Sequence, residues 1–77
     1  MNAETAQRVR DVLLEVSGKL DASVALVQSE GSEEDCRRYR RAIGNVMGSI
    51  YLDVLRPLFR EHPDLEPPSF KAAAPED

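Results

Sequence analysis

The sequence predicts an all-α protein, an antiparallel hairpin of two long helices that pairs with a second copy as a homodimeric four-helix bundle. Residues 3–29 and 33–56 both carry apolar side chains at helical spacing, and only residues 30–32 separate them. A loop this short makes consecutive helices antiparallel neighbours. The second segment also carries more apolar surface than one neighbouring helix covers, which predicts self-association.

Length and composition point to one small domain. The chain has 77 residues, of which 42% are hydrophobic and 31% charged, and its net charge is −4. A chain of this size buries barely enough apolar surface in a single core to be stably folded. The acidic balance argues against nucleic-acid binding. No apolar run reaches the roughly 18–20 residues that span a bilayer, so we expect no membrane association.

Cysteine and histidine usage narrows the class further. The chain has one cysteine and one histidine, which leaves no internal disulfide and no set of zinc ligands. We therefore expect no metal and no cofactor. The reducing conditions that a lone cysteine fits, together with an N-terminus that lacks a secretory pattern, predict a cytoplasmic protein. Eight arginines against two lysines suggest a GC-rich bacterial genome.

The first helix is predicted over residues 3–29. Its inner stripe is centred on Val9, Val16, Leu20 and Val27, and its outer side is charged. Asn2 is a suitable N-cap. At the other end, Gly31 is expected to close the helix in a left-handed conformation.

The second helix is predicted over residues 33–56, with Ser32 as its N-cap. Pro57 should kink the helix, leaving a turn over residues 57–62 that completes a hairpin domain of residues 1–62. Residues 63–77, rich in proline and acid, are expected to form a flexible tail. The stripe that should meet the first helix comprises Cys36, Tyr39, Ile43, Val46, Met47, Ile50 and Val54.

A second apolar face is predicted on the other side of this helix. Gly44 and Gly48 lie one turn apart there, and mid-helix glycines are costly unless they allow close approach. Self-association through this face is the expected use, and an alternative is that Leu65 and Phe70 fold back to cover it. The predicted interface residues are Gly44, Gly48, Tyr51, Leu52, Leu55 and Leu58.

One basic run offers a possible anion-binding or partner-binding site. It comprises Arg37, Arg38, Arg40 and Arg41, and Tyr39 within it should point toward the first helix. Without an interleaved aromatic platform the run is poorly suited to stacking bases. Local pairing of Glu33 with Arg37 and of Glu34 with Arg38 would instead make it a solvated, salt-bridged face.

A short motif follows the kinked turn. His62-Pro63-Asp64 resembles the His-Pro-Asp signature of J-domain co-chaperones, which lies in the loop after their second, basic helix. The resemblance implies an Hsp70-type co-chaperone role. Leu65-Glu66-Pro67 departs from the residues that usually follow, and no third helix is predicted.

No constellation for catalysis is found. Cys36 has no base near it in sequence, and Glu61, His62 and Asp64 lack the helical spacing of metal ligands. The sequence predicts a small non-catalytic intracellular module that interacts with proteins through its helix faces. Alternatives are the co-chaperone role and the binding of an anionic ligand or nucleic acid through residues 37–41.

Overall fold

The computed structural model describes residues 1–68 and Phe70, and this part of the chain is all-helical and contains no strand. The first helix, α1, spans Ala3–Glu30, and the second, α2, spans Glu33–Ser49. A π-helical segment follows over Ile50–Leu55, then helix α3 over Arg56–Glu61 and a 3₁₀ turn over Pro63–Leu65. The predicted helical hairpin is confirmed.

Both helix N-termini are capped as the sequence predicts. The Asn2 side chain accepts a hydrogen bond from the Thr5 N–H at 2.8 Å, and the Ser32 hydroxyl accepts one from the Asp35 N–H at 3.1 Å. The expected left-handed Gly31 is wrong, because its φ of −103° and ψ of 179° are extended. Close packing requires the glycine instead, since a Cβ there would lie 3.0 Å from the Val27 carbonyl oxygen.

Two long-range contacts fix the register of the hairpin. The Ser23 and Tyr39 hydroxyls share a hydrogen bond of 2.8 Å, so Tyr39 points toward α1 as predicted. At the open end, the Met1 amine lies 3.1 Å from a Glu61 carboxylate oxygen. Residues whose numbers add to about 62 therefore lie at the same level of the two helices.

The second helical stretch departs from the predicted kink at Pro57. The change begins at Ile50, where the backbone widens to π-helical geometry, and the Arg56 N–H donates to the Tyr51 carbonyl five residues earlier. Helical φ and ψ continue through both junctions, at Ile50 and at Arg56. A regular α-helix would bring the Pro57 ring against the carbonyl four residues before it, and the wide turn ends just ahead of that proline.

The widened turn changes which side chains face α1. Leu55 is only 2% exposed and is the largest fully buried side chain, whereas Val54 is 42% exposed. The prediction that Val54 faces inward and that Leu55 and Leu58 lie on an uncovered face is therefore wrong. An α-helix rotates by about 100° per residue, and a π turn rotates by less, so the segment carries Leu55 round to the core.

The core lies at the open end of the hairpin and includes part of the predicted tail. Leu65 is buried, and the Phe70 ring packs edge-on against Tyr51 and Phe59, with centroids 5.9 and 6.0 Å apart. The expectation of a flexible tail from residue 63 is wrong for this stretch, while Ser69 and residues 71–77 lie outside the described residues. The buried residues are Ala6, Leu55, Leu58, Phe59 and Leu65.

Burial is uneven along the hairpin. Among the described residues, every buried side chain belongs to the open end, and α2 contains none. Towards the turn, Leu20, Val24 and Ile43 are half-buried between the helices. Two helices alone therefore leave much of the apolar surface of this hairpin in contact with water.

Candidate interaction surfaces

Four of the exposed apolar side chains are valines that lie on the two helical arms of the hairpin. Val12 is 57% exposed and Val16 38%, although Val16 was predicted to lie in the inner stripe. On the second helical stretch of the hairpin, Val46 is 46% and Val54 42% exposed. We call Val12, Val16, Val46 and Val54 the valine face.

These valines lie on one side of the hairpin. The register places Val16 level with Val46, and Val54 about one turn nearer the open end than Val12. On each helix a valine comes one residue before a side chain that packs in the core: Val12 precedes Leu13, and Val54 precedes Leu55. Successive residues are about 100° apart around a helix, so each valine points to one side of the core, opposite to the sense in which the chain winds. Because antiparallel helices rotate in opposite senses when viewed from one end, such positions come to the same side.

The valine face has shallow relief and opposite charges at its two edges. A cavity of about 250 Å³ is lined by Val9, Val12 and Leu13, with Arg8 at its edge. A second cavity of about 200 Å³ lies beside Val54, and Asp53 lines it. The α1 edge of the face thus carries Arg8, whose guanidinium lies 3.1 Å from Glu4 within the same helix, and the α2 edge carries Asp53 at nearly the same level.

The opposite side of the hairpin carries the predicted interface glycines. Gly44 is exposed, Gly48 is half-buried and Leu52 is 54% exposed. A Cβ at either glycine would meet nothing within 4 Å, so no close approach within the described chain explains them. We call Gly44, Gly48, Tyr51 and Leu52 the glycine face.

Part of the glycine face is already covered by the chain itself. Phe70 packs on Tyr51, and the Arg10 guanidinium donates to the Leu65 carbonyl oxygen at 3.1 Å, which holds the segment on this side of α1. The alternative in which Leu65 and Phe70 fold back is therefore what the structure shows for Tyr51. Use of Gly44, Gly48 and Leu52 for association stays a prediction.

The basic run of α2 is divided between two environments. Arg38 lies 3.5 Å from Asp35, which replaces its predicted pairing with Glu34. Arg37 makes no ion pair with Glu33 or with any other described residue. Together with Arg40 and Arg41 it lines a cavity of about 490 Å³ beside the hairpin turn.

The His62-Pro63-Asp64 motif takes part in contacts at the open end. The His62 ring nitrogen Nε2 lies 3.0 Å from the Met1 carbonyl oxygen and 3.3 Å from the Glu61 carboxylate. The hydrogen bond and positive charge of the N-terminal amine lower the pKa of Glu61. Pro63 and Asp64 begin the 3₁₀ turn that brings Leu65 into the core, and a co-chaperone role for the motif stays a prediction.

The remaining candidates for chemistry are isolated. Cys36 is half-buried beside the hairpin turn and lines the arginine cavity. Among residues 1–68 and Phe70, no three His, Cys, Asp or Glu side chains cluster as metal ligands would. In the same part of the chain, none of the helices combines the length and apolar character needed to cross a bilayer.

Comparisons with protein-family models, with curated proteins and with solved structures find no match to this chain.

Sequence reasoning missed the exposure of Val54 because it assumed a regular α-helix through residue 56; Val12, Val16 and Val46 lie in regular α-helix. One pattern could have revealed the change at Val54. Tyr39, Ile43, Met47, Tyr51 and Leu55 repeat every four residues, and each four-residue step turns a side chain about 40° further round an α-helix. Side chains with that spacing keep facing one neighbouring helix only if their own helix gains residues per turn, which predicts a π segment.

Proposed function

We propose that this protein is a non-catalytic protein–protein interaction module that assembles as a homodimer, with the valine face buried between two copies. The observation that carries the proposal is the placement of four exposed valines on one broad side of the hairpin, whereas Phe70 packs on Tyr51 on the other side. The core lies at the open end alone, so a second hairpin would cover what the first leaves exposed.

The size of this side supports a second copy as the occupant. The hairpin measures 44 × 27 × 19 Å, so its broad side has a projected area of roughly 1,200 Å². A stable interface takes about 800 Å² from each partner. Two hairpins stacked on this side form a four-helix bundle, the usual arrangement for paired helical hairpins.

The edge charges fit a twofold arrangement. We place the twofold axis parallel to the helices. In this arrangement α1 of one copy lies beside the second helical stretch of the other copy, and residues at the same level along the bundle meet. Arg8 then faces Asp53 of the second copy, and the shallow cavity at Val12 faces its Val54. The same contacts occur twice, as a twofold interface requires.

The test compares two aspartate substitutions at equally exposed positions on opposite sides. Val12→Asp changes the valine face, and Leu52→Asp is the control on the glycine face, the two side chains being 57% and 54% exposed. Mass by light scattering should give twice the 8.6 kDa chain mass for wild type and for Leu52→Asp. Val12→Asp should raise the dimer dissociation constant at least about a hundredfold, since it buries an unpaired charge.

Circular dichroism separates dissociation from unfolding, and both variants should keep the wild-type helicity because neither residue lies in the core. A wild-type chain that stays monomeric up to millimolar concentration would overturn the proposal. Dissociation by Leu52→Asp with retention of the dimer by Val12→Asp would also overturn it and would assign the interface to the glycine face.

A further inference from the structure

An open cavity that the proposed dimer interface does not use lies beside the hairpin turn. Its volume is about 490 Å³, within the range of roughly 300–1,000 Å³ typical of small-molecule sites. Gln28 from α1, Ser32 from the turn and Cys36 from α2 contribute to its wall. Both helices and the loop thus shape it, and hydrogen bonds from the Gly31 N–H to the Val27 carbonyl oxygen and from the Asp35 N–H to the Ser32 hydroxyl fix the turn.

Three arginines give the cavity its chemical character. Arg37, Arg40 and Arg41 line it at i, i+3 and i+4 spacing, which places them on one side of α2. None of them has an ion-pair or hydrogen-bond partner among the described residues. By contrast, Arg8, Arg10 and Arg38 each have a carboxylate within 3.5 Å.

Unpaired guanidinium groups are unexpected in so acidic a chain. The sequence has 14 acidic residues against ten basic ones, yet within the described part of the chain Glu33 is the one carboxylate that lines this cavity. The lining side chains therefore carry a net charge of about +2, counting three arginines and one glutamate. Guanidinium groups bind phosphate and carboxylate oxygens through paired N–H donors, and phosphate groups carry the higher charge.

We propose that this cavity binds a small organic anion that carries two or more phosphate groups. Three guanidinium groups provide more donors than a single phosphate uses, and the volume accommodates a larger ligand. Single-stranded nucleic acid is disfavoured because Tyr39, the aromatic residue of the run, points between the helices and hydrogen-bonds to Ser23. Arg38 is excluded from the site, since it pairs with Asp35.

Cys36 supplies a direct readout, because it is the only cysteine of the chain and lines the cavity. We would measure its alkylation by iodoacetamide in the full-length protein, with and without tripolyphosphate at low salt. Bound tripolyphosphate should slow the reaction at least about fivefold, and isothermal titration calorimetry should give the matching affinity. The doubly substituted Arg37→Gln/Arg41→Gln protein should bind at least about tenfold more weakly.

Arg38→Gln is the matched control, since it removes one positive charge from the same helix without altering the cavity, and it should retain protection. Absence of protection at millimolar tripolyphosphate would overturn the proposal. Equal weakening by Arg38→Gln would also overturn it, since binding would then follow net charge alone. Tighter binding of a single-stranded oligonucleotide, measured by fluorescence anisotropy, would assign the arginines to nucleic acid instead.

Discussion

The π-helical register of Ile50–Leu55 makes the sharpest prediction about the fold. In a regular α-helix Val54 would face α1 and Leu55 would face outward, whereas the structure has Leu55 2% and Val54 42% exposed. Leu55→Ala should therefore destabilise the protein by about 2–5 kcal/mol, the range for leucine truncated in a core. Val54→Ala should cost about 1 kcal/mol at a protein concentration low enough for the chain to be monomeric, since part of its side chain is in water there.

The loss at Leu55 is large against the total. A chain of this size has a free energy of unfolding of roughly 4–12 kcal/mol, so one substitution would remove a substantial fraction of it. Urea titrations followed by circular dichroism provide the measurement, at one fixed protein concentration because association contributes to stability. With a slope near 1 kcal/mol per molar urea, Leu55→Ala should lower the midpoint by about 2 M or more, and Val54→Ala by about 1 M.

The free energies of unfolding of the two variants distinguish a π-helical register from a regular one, because the two substituted residues are adjacent in sequence. If Val54→Ala costs as much free energy as Leu55→Ala, or more, the helix is regular through this stretch and the π-helical register is refuted. The valine face would then lose Val54, and the proposed dimer would lose one of its two contacts at the open end.

Two further predictions concern the open end of the hairpin. Phe70→Ala removes two edge-on ring contacts, each worth about 0.5–1.5 kcal/mol, so unfolding should become easier by about 2 kcal/mol, with Phe70→Leu less affected. A change below about 0.5 kcal/mol in the same urea assay would show that Phe70 does not stabilise the core. The pKa of Glu61 is lowered by the Met1 amine, so its ion pair stabilises the protein above the ordinary carboxyl pKa, and this contribution is lost as pH falls through the lowered value. Melting temperatures across an acid series should therefore show Glu61→Gln less stable than wild type near neutrality and equal to it in acid, and a gap that persists in acid would contradict this reading.

The two helices and their N-termini were readable from the sequence because they depend on local interactions. Asn2 and Ser32 each accept a hydrogen bond from the N–H three residues later, and residue type alone indicates such caps. The short break before Ser32 likewise leaves only an antiparallel partner within reach. These features involve residues close together in the chain, so no knowledge of distant contacts was needed.

The side of each helix that meets its partner was decided by tertiary structure. Leu55 is buried because Ala6, Phe59 and Leu65 pack around it, and that burial outweighs the regular hydrogen-bond ladder that the π segment interrupts. The packing of Phe70 could not be predicted from the neighbouring sequence, since a proline-rich segment can also stay extended in solvent. In the structure its ring packs against Tyr51 and Phe59, which are distant in sequence.

Some features of the candidate surfaces were likewise predictable from the sequence, and others depended on tertiary structure. The sequence by itself determined an all-helical hairpin, an excess of apolar surface and a basic run, since these follow from composition and spacing. Tertiary structure alone decided that the tail segment covers Tyr51, that the valines share the other side, and that Arg37, Arg40 and Arg41 surround a cavity. The physical reason is that a side chain's exposure depends on which distant residues pack against it, and a one-residue change in helical register redistributes those neighbours.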